Sequence, residues 1–83
     1  MLLDSEVVDY LDRLIVGERS RIWNRLREIA GTPDRFIDYH DRDARGRDLA
    51  VHVFHGHAIL YWDDFADRHV KIMEITNADD FPA

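Results

Sequence analysis

Three histidines lie close together in one short segment, and no other residues in this sequence are better suited to chemistry. They are His52, His55 and His57. Imidazole rings bind zinc and exchange protons near neutral pH. No fourth metal ligand is evident nearby, and the chain has no cysteine, so disulfides and thiolate metal sites are excluded. We therefore expect these rings to face solvent or a partner, or to act as an acid or a base, more readily than to hold a metal.

Four arginines form a second cluster, in the segment from Glu18 to Ala30. They are Arg19, Arg21, Arg25 and Arg27. Arg21 and Arg25 are one helical turn apart and could contact phosphates as a pair, or they could pair with Glu18 and Glu28 on an exposed surface. The second arrangement is the commoner one for a charged helix face. Because the chain has a net charge of -6, tight non-specific binding to nucleic acid is not expected.

Several common active-site signatures are missing from the sequence. It contains no G-x-S-x-G, phosphate-binding loop or dinucleotide fingerprint, so the usual hydrolase, kinase or dehydrogenase chemistry is not indicated, and no cofactor is expected. The charged segment from Asp41 to Asp48 has only a superficial likeness to a calcium loop, because Arg45 stands where an oxygen ligand is needed. We predict a solvated turn there.

Two helices are predicted in the first third of the chain. Apolar residues recur with helical spacing from Val7 to Ile15 and again from Ile22 to Ala30. Asp4 or Ser5 can cap the first helix, and we expect Gly17 to end it in a left-handed conformation. The segment Gly31-Thr32-Pro33 ends the second. Two helices of similar length joined by about two residues should form an antiparallel hairpin.

After Pro33 the apolar residues alternate with polar ones, which predicts strands. We expect an extended segment around Phe36 to Tyr39 and strands over 49–54, 57–62 and 70–76, with a tight turn at His55-Gly56. In the last strand, Val70, Ile72 and Glu74 should share one side. The predicted fold is α+β: a helical hairpin packed on a three- to four-stranded antiparallel sheet.

Length and composition predict a single domain over residues 1–83. We expect no linker, targeting segment or membrane-spanning run, and the absence of cysteine predicts a cytoplasmic location. A domain of this size buries a modest core, so a dimer or a bound partner would add stability.

The order of these elements resembles the RelE/ParE superfamily of type II toxin–antitoxin toxins. The residues that carry the likeness run from Arg35-Phe36 and Asp38-Tyr39 through the hairpin 51–62 to the strand 70–75 and Ala78-Asp79. The resemblance implies a toxin neutralised by a cognate antitoxin. RelE-like members cleave mRNA on the ribosome, and ParE-like members poison DNA gyrase. An alternative is a non-catalytic binding module, a degenerate family member acting as a small dimeric interaction protein.

Whether this chain is an enzyme stays open, since the usual catalytic positions of the nucleases are not matched. Ala58 follows Gly56-His57 where such toxins place an arginine, and the stretch after the last strand is acidic. Candidates expected on the concave sheet face or its rim are, for catalysis, Arg47, His52, His57 and Arg68, and for binding, Arg45 and Lys71 together with Arg21 and Arg25 of the helix. Such toxins also open with a full strand, of which Met1-Leu2-Leu3 is at best a remnant. The exposed sheet edge that this leaves predicts self-association.

Overall fold

Two N-terminal helices pack on one side of a five-stranded sheet in the computed structural model, which describes residues 1–80. The helices are α1 (Ser5–Asp12) and α2 (Val16–Gly31). The strands are β1 (Leu2–Leu3), β2 (Tyr39–Arg42), β3 (Asp48–Phe54), β4 (His57–Asp64) and β5 (His69–Asn77), and short 3₁₀ turns lie at Pro33–Phe36 and Ala78–Asp80. The predicted α+β class is confirmed. No helix within residues 1–80 is long and apolar enough to cross a membrane.

The strand order across the sheet is β1-β5-β4-β3-β2. All neighbours are antiparallel except β1, which runs parallel to β5 and pairs Leu2 with Lys71 and Leu3 with Ile72. The prediction of three to four antiparallel strands is therefore wrong in two respects, since the sheet has five strands and is mixed. The sequence pattern does not reveal β1 as a strand, because two residues are too few to show alternation. The expectation of a short first strand is confirmed.

The helix boundaries differ from the prediction at the first junction. Asp4 caps α1 as expected, its side chain accepting a hydrogen bond from the backbone N–H of Glu6. However, α1 ends at Asp12, and Gly17 lies in the first turn of α2. The helices span 8 and 16 residues, so they are not of similar length. The chain leaves the helical conformation at Ile15, two residues before the glycine.

The main core lies between the helices and the sheet, on the side that we call the helix side. Its buried apolar residues from the helices are Val7, Leu11, Ile22, Leu26 and Ile29, and those from the sheet are Ala50, Ile59, Tyr61, Val70, Ile72 and Ile75. The Tyr61 hydroxyl donates to the Pro33 carbonyl at 2.6 Å. This bond ties the centre of the sheet to the segment that follows α2.

The opposite side of the sheet carries a second, smaller apolar cluster, and neither α1 nor α2 covers it; we call it the open face. Leu49, Val51, Ala58 and Leu60 are buried there, with Tyr39, Trp62 and Met73 partly buried around them. Successive side chains of a strand point to opposite faces, so β3 and β4 each contribute to both clusters.

A β-bulge in β5 changes which residues share a side. Leu60 pairs with Glu74 and Tyr61 with Ile72, so Met73 is the extra residue. Ile72 and Ile75, three positions apart, both join the helix-side core. The predicted side shared by Val70, Ile72 and Glu74 therefore stops at the bulge. The predicted turn at His55-Gly56 is confirmed, with φ values of 49° and 81° that suit a two-residue hairpin loop.

Candidate functional site

A groove crosses the open face between the β2–β3 loop and the outer strands β5 and β1. It encloses about 570 Å³. Its lining includes Arg45, Arg47, Trp62, Lys71 and Met73. Three of the cations predicted as site residues thus come together. Trp62 was not predicted as a site residue, although its position two residues after Leu60 on β4 places it on the same face.

Asp43 shapes one wall of this groove. One of its carboxylate oxygens accepts hydrogen bonds from the backbone N–H groups of Arg45 and Arg47, each at 2.9 Å. The other accepts from Arg47 Nε at 2.7 Å. These bonds, led by the one from the Arg47 backbone, lower the pKa of Asp43. The charge of Arg47 is consequently neutralised inside its own loop.

Lys71 forms the opposite wall and is neutralised in the same way. Its Nζ donates to Asp64 and to Asp67, each at 2.9 Å. The hydrogen bond to Asp67 is the main cause of the raised pKa of Lys71, and the bond to Asp64 lowers the pKa of that carboxyl group. Trp62 lies between the two walls, with Arg47 Cζ 5.0 Å and Lys71 Nζ 5.2 Å from its ring centroid. The floor of the groove is therefore aromatic, and two of its three cations are already paired.

The two remaining cation candidates near this face differ in position. Arg45 is exposed on the groove rim, and no carboxylate within residues 1–80 pairs with its side chain. Arg68 is exposed in the β4–β5 loop, with a positive φ of 57°, and does not line the groove. The structure therefore brings Arg45 to the candidate site and leaves Arg68 outside it.

His57 lies on the helix side, so it does not share a face with the groove. Its Nδ1 is 2.7 Å from the Tyr10 hydroxyl, and its Nε2 is 2.6 Å from a Glu18 carboxylate oxygen. Because an ionised carboxylate only accepts, Nε2–H donates to Glu18, and a neutral ring then accepts the Tyr10 proton at Nδ1. The bond from His57 lowers the pKa of Glu18, whereas burial, more than the nearby Glu18 charge, raises that of Tyr10.

His52 also lies on the helix side, in a second network. Its Nδ1 is 3.0 Å from Asp38 Oδ2 and its Nε2 is 3.3 Å from Arg25 Nη1. Since arginine only donates, Nε2 accepts and Nδ1–H donates to Asp38. The Arg25 guanidinium packs over the rings of Phe36 and Phe54, at 4.8 Å and 4.2 Å.

The predicted helix pair Arg21 and Arg25 is therefore split. Arg25 is half-buried in the His52 network and lies 3.6 Å from Glu28, one of the ion pairs considered from the sequence. Arg21 is exposed, and within residues 1–80 it has no ion pair. The two side chains do not form a joint phosphate site.

The expected grouping of all candidates on one concave face is not found. His52 pairs with Ile59 in the ladder and shares its side, because ladder partners point to the same face. Both nitrogens of His52 and of His57 are held by protein side chains, so neither ring presents a nitrogen to the groove. Within residues 1–80, no group of three or more histidine or acidic side chains is placed to hold a metal ion.

Comparison with known proteins gives no match, whether with family models, with curated sequences or with solved structures. The resemblance to the RelE/ParE superfamily therefore rests on the sequence pattern, and the α+β architecture is the part of it that the structure bears out.

Proposed function

We propose that this chain is a RelE/ParE-like toxin that acts by binding a protein target and is neutralised by a cognate antitoxin. The observation that carries the proposal is the pairing of Arg47 with Asp43 and of Lys71 with Asp64 and Asp67 on the open face. Within this family, it favours a protein target of the DNA gyrase kind over ribosome-bound mRNA.

RNA cleavage by attack of a 2′-hydroxyl needs three kinds of group at one place. A base removes the hydroxyl proton, an acid protonates the leaving oxygen, and cations stabilise the charge that develops on the phosphate. In this chain His52 and His57 lie across the sheet from the groove, and two of the three groove cations, Arg47 and Lys71, are already paired with carboxylates. The net charge of -6 adds long-range repulsion of RNA.

The groove has the composition of a protein-binding surface. Tryptophan, methionine and arginine are enriched where proteins bind one another, and Trp62, Met73 and Arg45 line this groove together. An extended partner segment with an apolar side chain over Trp62 and a carboxylate near Arg45 would suit it. The paired cations then hold the walls in position and need no rearrangement on binding.

Two alternatives each rest on one observation. Three cations beside a tryptophan also suit a nucleotide, whose base stacks on an aromatic ring while its phosphate meets the cations, and this favours the ribosome-dependent endoribonuclease. The same neutralised cations equally suit a non-catalytic binding module that is not a toxin. The experiment below separates all three.

The test is growth of a bacterial host after induction of this chain, alone and together with its neighbouring gene. We expect arrest that the neighbour relieves, with new DNA breaks and without new mRNA ends. Arg45→Glu should abolish the arrest, while Arg27→Glu, an equal charge change on an exposed α2 residue, should not.

Each other outcome contradicts the proposal in a defined way. New mRNA ends that depend on Arg45 would establish the endoribonuclease. Normal growth in cells that contain soluble, folded protein would establish the binding module. Arrest that Arg27→Glu removes and Arg45→Glu leaves intact would place the interaction on α2 and not in the groove.

A further inference from the structure

The two edges of the sheet are covered by neighbouring backbone to different degrees. At one edge, β1 pairs with Lys71 and Ile72 of β5, and the Asp4 backbone N–H donates to the Ile72 carbonyl at 3.1 Å. At the other edge, β2 has β3 as its only strand neighbour within residues 1–80. The edge expected from the sequence to be exposed is thus partly covered, whereas no second strand among residues 1–80 pairs with β2.

Two copies of a strand can pair antiparallel only in certain registers. Residues that face one another must point to the same side of the sheet and make the same kind of backbone contact. In a two-fold symmetric pair, a residue therefore faces itself or a residue an even number of positions away. For β2 the central residue is either His40 or Asp41.

The charges on β2 select between these registers. With His40 at the centre, Asp38 faces Arg42 of the second copy and Tyr39 faces its Asp41. With Asp41 at the centre, two carboxylates face each other directly and Arg42 faces His40, so like charges meet at Asp41 and no opposite charges are brought together. The first register places opposite charges together and is the one that the sequence of this edge favours.

The side chains needed for this pairing are accessible. Arg42 contacts Asp48 at 3.5 Å, but both side chains are largely exposed, at 72% and 68%, so the guanidinium is able to turn to another partner. Asp38 is bound to His52 and to the backbone N–H of Val53 through Oδ2, which leaves Oδ1 available.

Apolar surface lies beside the open strand on the helix side. Ile37, His40, Ala50, Tyr61 and Phe65 contribute to a depression of about 180 Å³, and Phe65 is 80% exposed. Strand pairing would bring this surface of one copy next to the same surface of the other. Burial of apolar area would add to the backbone hydrogen bonds of the edge.

From these observations we propose that two copies of this chain pair antiparallel through β2, with His40 on the two-fold axis and Asp38 facing Arg42 of the second copy. The dimer contains one continuous ten-stranded sheet. This inference does not depend on the proposed function, since the groove lies on the open face and not at this edge.

Single cysteines test the register cleanly because the native chain contains none. Directly opposed residues of an antiparallel pair have Cα atoms about 4.5 to 5.5 Å apart, within disulfide range. Under mild oxidation we expect His40→Cys to form a covalent dimer rapidly. Asp41→Cys, which faces Tyr39, and the remote Arg27→Cys should react at least about tenfold more slowly, since neither meets its own copy.

Equilibrium association provides the second measurement. Sedimentation equilibrium between about 1 and 100 μM should show a monomer–dimer equilibrium for the wild type. Arg42→Asp places a carboxylate opposite Asp38 of the second copy, at two symmetric positions. This change should weaken the dimer at least about tenfold. Arg27→Asp, with the same charge change on α2, should leave it unchanged.

A clean monomer over this range, or Arg27→Cys crosslinking as fast as His40→Cys, would overturn the proposal. Faster crosslinking of Asp41→Cys than of His40→Cys would overturn the register. Circular dichroism of each variant keeps a folding defect from being taken for lost association.

Discussion

The two sides of the sheet hold their ionisable groups by different means. On the helix side, His57 joins Tyr10 and Glu18, residues 47 and 39 positions away, and Arg25 reaches His52 across 27 positions. On the open face, Asp43 and Arg47 are four positions apart, as are Asp67 and Lys71, and Asp64 is seven from Lys71. The long-range networks connect separate elements, whereas the local pairs shape single loops. Disruption of a helix-side network should therefore destabilise the whole fold, whereas disruption of an open-face pair should mainly loosen one loop.

The largest expected effect compares two adjacent residues of β4 that point to opposite sides. Ile59 is completely buried beneath the helices, and Leu60 is 5% exposed in the smaller open-face cluster. We expect Ile59→Ala to lower the free energy of unfolding by about 4 kcal/mol and Leu60→Ala by about 2 kcal/mol, because the helix-covered site is the less able to collapse around the missing atoms. Urea denaturation would measure both. Equal losses would mean that the two clusters are packed equally tightly.

The second effect compares the polar networks. His57→Ala leaves the Tyr10 hydroxyl and the Glu18 carboxylate without their shared partner and should cost about 2 kcal/mol of unfolding free energy. Lys71→Ala removes pairs that only join β5 to the end of β4 and to the β4–β5 loop and should cost less. The same urea titrations report the difference, and a greater loss for Lys71→Ala would reverse our assignment of the networks.

A third prediction concerns the stability of the fold at low pH. The folded protein lowers the pKa of Glu18, so its contribution to stability is complete above the unfolded value of 4.5 and is lost as the pH falls through the lowered folded value. Glu18→Gln should therefore make the thermal midpoint less sensitive to pH below 4.5 than it is in the wild type. If the thermal midpoints of the two proteins changed with pH in parallel, Glu18 would not contribute to the acid sensitivity of the fold.

The smallest expected effect is confined to the loop between β2 and β3. Asp43 accepts from the backbone N–H groups of Arg45 and Arg47, so Asp43→Ala, which removes the acceptor, should speed amide exchange at these two residues while global stability changes little. Hydrogen exchange followed by NMR would show it, with Glu18→Gln as the variant that leaves these amides protected. Faster exchange throughout the sheet would mean that the loop supports the fold as a whole.

Much of the fold could be predicted from the sequence because its signals are local. The α2 stop at Gly31-Thr32-Pro33 and the turn at His55-Gly56 depend on a few adjacent residues, and both occur as expected. The end of α1 at Asp12 was not predicted, and neither was the parallel pairing of β1. The pairing of β1 depends on long-range contacts with β5, such as the bond from the Asp4 backbone N–H to the Ile72 carbonyl.

The same distinction between local and long-range contacts applies to the candidate site. The sequence by itself determined which residues are cations, and the short spacing between Asp43 and Arg47 already allowed a local pair. Only the tertiary structure decided that Arg45, Arg47 and Lys71 share a groove with Trp62, and that His52 and His57 lie across the sheet from it. The physical reason is strand parity: alternate residues of a strand face opposite sides, and the side that the helices cover is decided only when the chain packs.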